Sequence, residues 1–130
     1  MRLADVERYV GMPYDADDFD CADLVCLVQR ELFGREVRLP NGRPRGREGQ
    51  AAIKGGLPEY ARPTNTPRDG DLVLLRDHRT KRPGHAGVFF HLAHEGYVLH
   101  SNETNGCAVL HRVRELPSFG TVVEGVYEWL

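Results

Sequence analysis

The sequence has little that would send it into a membrane, onto nucleic acid or into a disulfide-stapled framework. It has no apolar stretch near the ~18 residues that a membrane span requires. It has no surplus of one charge: 17 Lys and Arg stand against 19 Asp and Glu, a formal net charge of −2, so no global field draws it to nucleic acid or anionic lipid. Cysteine is sparse and odd in number, three in 130 residues, which argues against a set of paired disulfides. The opening "MRLADVERYVGMPYD" lacks an apolar h-region and a small-residue cleavage site, so no secretory signal is expected. Cytoplasmic synthesis with free thiols follows as the expectation, and any action outside the cell needs another delivery route. What is present is ordinary for a soluble globular chain, 41% apolar and 28% charged residues. A single domain over residues 1–130, large enough for its own core, is expected.

Apolar spacing predicts a short amphipathic helix over residues 3–10, with Leu3, Val6 and Val10 on one stripe. "CADLVCLVQRELF" (21–33) contains neither proline nor glycine, carries a wide apolar stripe and is followed by Gly34. It reads as a central helix, N-capped by Asp20, C-capped by Gly34, with Cys21 in its first turn. Residues 34–70 are dense in glycine and proline and read as a long loop with at most one helical turn, near "EGQAAIK". Five short β-type runs follow: 71–75, 85–92, 96–101, 107–113 and 121–129. Their connections are too short for helical crossovers, so antiparallel pairing is expected. The predicted class is α+β, N-terminal helices packed on a five-stranded antiparallel sheet.

The stretch "DDFDCADLVCLV" (17–28) sets Cys21 where an acidic segment meets an apolar one. A packing cysteine belongs inside the apolar run, as Cys26 and Cys107 do. The first turn of a helix, by contrast, stabilises a thiolate through its unpaired N–H groups and dipole. A nucleophilic Cys21 also requires a histidine from elsewhere in the fold. His85 opens "HAGVFF" and His100 closes "YVLH" on the next run, so antiparallel pairing sets them side by side, a base and an orienting partner. Ser101 or Asn102 takes the place of His100 if the register slips by a residue or two.

In their order, "FDCADLV", "RDGDLVLL", "GHAGVFF" and "YVLHS" resemble the NlpC/p-sixty cell-wall cysteine peptidases, a compact papain-like group. The resemblance implies Cys21 as nucleophile, His85 as base and His100 as orienting residue. Tyr14, in "GMPYD", falls on the tyrosine near the family's oxyanion site, with Asp20 beside it. "RPRGREGQA" (43–51) is similar to the family's Pro-Arg-x-x-x-Gln stretch, and Arg43, Arg45 and Arg47 are candidates to meet substrate carboxylates. "CADLV" stands where the family has Cys-Ser-Gly-Leu-Val, the Trp-Gly-Gly after the tyrosine is missing, and Tyr14 lies only seven residues before Cys21. The first departure resembles phage and prophage tail-associated members, which implies a virion-associated setting and tail proteins as partners. The activity implied is hydrolysis of peptidoglycan stem peptides between D-glutamyl and a diamino acid, with no cofactor, no metal, no nucleic acid and no membrane insertion.

Three other readings stand beside it. A related thiol amidase or acyltransferase uses the same residues on another amide or ester. A non-catalytic tail-assembly or binding module keeps the fold without the chemistry. A zinc set drawn from Cys21, His85, His91, His94 and His100 is the third, without a Cys-x-x-Cys or His-Glu-x-x-His signature to support it.

Overall fold

The computed structural model describes residues 1–37, 39, 55–79, 81, 85–101 and 103–130. Two helices, α1 (Leu3–Glu7) and α2 (Cys21–Phe33), precede the strands β1 (Ala61–Pro63), β2 (Leu72–Asp77), β3 (His85–Leu92), β4 (Glu95–Ser101), β5 (Ala108–Arg112) and β6 (Thr121–Trp129). The strands form one antiparallel sheet in the order β1-β6-β2-β3-β4-β5. The class is α+β.

Among the described residues the sheet has six strands, where the sequence predicts five. The additional strand, Ala61-Arg62-Pro63, lies in the stretch read as loop and pairs with β6 at the edge. Three residues ending in proline carry no alternation to detect, and proline is tolerated on an edge strand. A 3-10 turn at Leu57–Glu59 leads into it. The helical turn expected near residues 48–54 lies outside the described residues.

The first helix is shorter than the 3–10 expected from spacing, and its buried face differs. Leu3 and Val10 are exposed, while Val6 and Tyr9 are buried. The Tyr9 hydroxyl donates to Glu31 Oε1 on α2 at 2.9 Å. Five helical residues bring little intrinsic stability, so this docking rather than the stripe decides which side faces in.

The second helix occupies the predicted residues. Leu24, Val25 and Val28 are fully buried against Val88, Phe90 and Leu99 of the sheet, each worth about 1.5–3 kcal/mol relative to exposure. Gln29, also buried, donates through Nε2 to the Gly70 carbonyl at 2.6 Å, and Trp129 Nε1 donates to the same oxygen at 2.8 Å. The Phe33 ring stacks near Phe90 at 6.2 Å and lies 2.9 Å from where a Cβ on Gly70 would stand. Gly70, at φ +94°, both turns the chain into β2 and lets the helix approach. Gly34 closes α2 in the left-handed conformation at φ 59°, as a C-terminal glycine does.

Alternation along β3 divides the core. Ala86, Val88, Phe90 and Leu92 face α2, while Phe89 packs with Val73, Leu75, Val98 and Leu116 on the opposite face. Leu116 comes from the 3-10 segment Val113–Phe119 between β5 and β6, which covers that second face. Among the described residues no helix is long and apolar enough to cross a membrane.

Candidate active site at one end of the sheet

The acidic stretch before Cys21 is wound tightly on itself. Asp15 and Phe19 exchange backbone hydrogen bonds at 2.8 and 2.9 Å, and Asp15 Oδ1 accepts from the N–H groups of Asp17 and Asp18. Asp20 then caps α2, its Oδ1 accepting from Ala22 N at 3.0 Å and Asp23 N at 3.1 Å. Asp23 completes a capping box by accepting from Asp20 N at 2.9 Å. That accounts for the charged residue at a position where the resembled family has glycine. It also commits Oδ1 of Asp20, the residue expected beside the oxyanion site, to two backbone N–H groups. The residue is buried in that cap. Asp20→Ala is expected to cost about 1 kcal/mol of stability, read as a fall in denaturation midpoint at pH 7; an unchanged midpoint would remove the cap from the account.

The start of α2 is tied to one end of the sheet by the segment before it. Gly11 N and Met12 O bond Ala108 at 2.8 Å each, and Tyr14 N donates to Gly106 O at 3.0 Å, so residues 11–14 run beside the start of β5. Ala108 is paired with Ser101, the last residue of β4. Distances along the elements agree. From Phe33 back to Cys21 the helix spans about 18 Å, and from Phe90 back to His85 the strand spans about 17 Å. Cys21 therefore sits on the α2 side of the sheet, level with the start of β3. Its residue is 3% exposed.

The histidines meet on the other face of that same end. His100 pairs in register with Gly87, two residues after His85. A Cβ on Gly87 would lie 2.7 Å from Val98 Cγ1, 3.0 Å from the Leu99 carbonyl oxygen and 3.1 Å from His100 Cβ, so glycine is what lets β4 approach β3 this closely beside His100. His85 Nε2 lies 2.9 Å from His100 Nδ1. The chain of rings then continues: His100 Nε2 lies 3.0 Å from His111 Nδ1, and His111 stacks on Phe119 at 4.1 Å with planes 7° apart. His111 was missed in the sequence. It lies on β5 opposite Val98, and alternation from His100 across one more strand is the signal that finds it.

Burial governs the charge of all three. It pushes His85 down to about 4. Burial, then the neighbouring His85 and His111, hold His100 well below the ordinary histidine range. Burial lowers His111, partly offset by Glu115. The rings are neutral at pH 7, so the imidazolium expected beside a thiolate is not the resting state that burial favours. His85 Nδ1 is buried and has no hydrogen-bond partner; with Nε2 on His100, no hydrogen bond joins either nitrogen to Cys21.

Tyr14 is half-buried on the segment beside β5. Ser101 pairs with Ala108 on the α2 face, its buried Oγ without a partner, so of the two it is His100 whose side chain meets His85. Asn102, Arg43, Arg45 and Arg47 lie outside the described residues. Cys26 and Cys107 are half-buried and unbridged. His91 and His94 are exposed at the far end of the β3–β4 hairpin, about 20 Å along the strand from His85, which separates the zinc set suggested by composition. Among the described residues no group of three or more His, Cys, Asp or Glu could hold a metal ion.

Compared with protein-family models, curated proteins and solved structures, the chain matches none.

Proposed function

We propose that this chain is a papain-like cysteine hydrolase of the NlpC/p-sixty kind, with Cys21 as nucleophile, His85 as base and His100 as the residue that orients it. The observation that carries the reading is the pairing of His85 Nε2 with His100 at 2.9 Å while its Nδ1 stays unpartnered. That leaves one nitrogen for proton transfer, at the sheet end where α2 begins; His85 and Cys21 start from opposite faces there, so the transfer requires them to meet around the end of β3. A capped helix start supplies the other half, a thiol held against the dipole.

The sulfur attacks an amide carbonyl as its proton passes to His85 Nδ1, forming a C–S bond. The C–N bond then breaks, and the amine leaves with the proton from His85. Water attacks the thioester with His85 again accepting a proton, and the acid departs as the thiol is restored. The Cys21 N–H and Tyr14 are assigned to the developing oxyanion. The substrate proposed is the peptidoglycan stem peptide, cleaved between D-glutamyl and a diamino acid. Arg43, Arg45 and Arg47 are assigned to its carboxylates, and a tail-associated setting is the proposed route to the wall.

The test is incubation of purified stem peptides with the protein and with Cys21→Ala, followed by mass spectrometry. Cleavage by the protein is expected, with fragment masses at the D-glutamyl bond, and Cys21→Ala is expected to show none. The near-complete burial of Cys21 and His85 favours one competing reading, a binding module on the same fold. Absence of cleavage, together with slow alkylation of Cys21 at an ordinary thiol midpoint of ~8.5, would establish that module instead.

A further inference from the structure

We propose that His111 is a positioning residue: by accepting the His100 Nε2–H at its own Nδ1, it fixes the direction of the three-ring chain, so that His85 carries its proton on Nε2 and a bare lone pair on Nδ1. Its meaning for catalysis rests on the function proposed above; its geometry does not.

Each neutral imidazole has one N–H and one lone pair. His100 makes two ring contacts, at 2.9 and 3.0 Å, so it donates in one and accepts in the other. Only two arrangements satisfy both contacts with three neutral rings. In the first, His85 Nε2–H donates to His100 Nδ1, His100 Nε2–H donates to His111 Nδ1, and His111 keeps its proton on Nε2. In the second every bond is reversed, and the last N–H falls on His85 Nδ1. That nitrogen is buried without a partner, and a stranded buried N–H is the rarer defect in folded proteins. His111 is part-exposed, so in the first arrangement its Nε2–H reaches water. The first arrangement follows.

The ring of His111 is held for this task. Phe119 stacks flat on it, and the 3-10 segment carrying Phe119 is pinned by the fully buried Leu116. Glu115, on the same segment, is the acidic group that acts on His111. His100 is 1% exposed, so without His111 its Nε2–H has no water to turn to. The chain then reverses: His100 moves its proton to Nδ1, donates to His85 Nε2, and forces the His85 proton onto Nδ1, where the lone pair is lost.

Two substitutions separate this role from packing. His111→Phe keeps an aromatic ring on Phe119 but removes the acceptor. His111→Asn gives up part of the stack but places a carbonyl oxygen near the former Nδ1. Nitrogen-15 spectra of the labelled full chain at pH 7 report which nitrogen of each histidine is protonated. The expected result is Nε2–H on His85 in the wild type, Nδ1–H in His111→Phe and Nε2–H again in His111→Asn. Stem-peptide cleavage is expected to fall about 10- to 100-fold in His111→Phe and to recover in His111→Asn. A wild-type His85 protonated on Nδ1, or a His85 proton unmoved by His111→Phe, would overturn the inference. An inert Cys21 in a protein whose His85 behaves as described would instead defeat the proposed hydrolase and leave the ring chain standing.

Discussion

His85→Ala is expected to lower stem-peptide cleavage by about a thousandfold and to slow alkylation of Cys21 in parallel. General-base assistance contributes about 10²- to 10⁴-fold in enzymes, and the proposed base, His85, has a ring nitrogen without a partner. The residual rate comes from the helix start, which the substitution leaves in place. His91→Ala is the matched control. It lies on the same strand and is exposed at the far end, so its cleavage and alkylation should equal those of the wild type. The acid side of the profile carries a second signature. Because burial pushes His85 down to about 4, the base stays neutral well below the ordinary histidine range. Cleavage measured at low temperature should therefore persist near pH 5 and fall only toward pH 4. A limb centred near ~6.5, the unperturbed histidine value, would mean that His85 is not the base or is not buried in the working enzyme. Equal alkylation of Cys21 in His85→Ala and wild type would refute the assignment outright.

Much of this arrangement is legible in the sequence because it rests on local rules. The limits of α2 follow from an acidic cap, an apolar stripe without breakers and a terminal glycine, and the structure uses all three. Strands β3 and β6 begin and end where β-type composition does. The meeting of His85 and His100 needs only antiparallel pairing of neighbours, which a two-residue hairpin enforces. That hairpin itself carries no Asn-Gly signal. It turns on Ala93 and His94 at φ 49° and 66°, residues that pay for the left-handed conformation because the flanking strands demand it. What the sequence hides is longer in range. Strand β1 exists because the exposed edge of β6 is there to receive it, and nothing within Ala61–Pro63 announces that. Asp23 looks like an intrusion until the Asp20 backbone appears opposite it. Neutral histidines are likewise invisible in one dimension, since the acidic neighbours of Cys21 are sequence facts whereas the burial of His85 is a tertiary one.

Acid is expected to destabilise the protein well before its carboxylates are neutralised. Three histidines in a hydrogen-bonded chain across β3, β4 and β5 are all held below their ordinary range, chiefly by burial. In the unfolded chain each takes up a proton near ~6.5; in the folded chain His85 does so only near about 4. Between those values the unfolded state binds more protons, so stability rises with pH across the window and is lost as pH falls through it. Their contribution is thus complete above about pH 6.5 and diminishes toward pH 4. His85 alone spans about 2.5 pH units, on the order of 3 kcal/mol at 1.36 kcal/mol per unit, and His100 and His111 act with the same sign. For a chain of this size that corresponds to a fall in melting temperature on the order of 10 °C between pH 7 and pH 4.5. Denaturation midpoints across that range supply the wild-type slope, and His100→Asn supplies the comparison. Removing the central ring takes away one titrating group and relieves the other two of a like-charged neighbour, so the midpoint should change less steeply with pH even if it starts lower. A wild-type midpoint flat from pH 7 to 5, or a slope unchanged in His100→Asn, would show that the rings are already charged or already open to water. In that event the neutral three-ring chain on which the proposed base depends does not exist in solution.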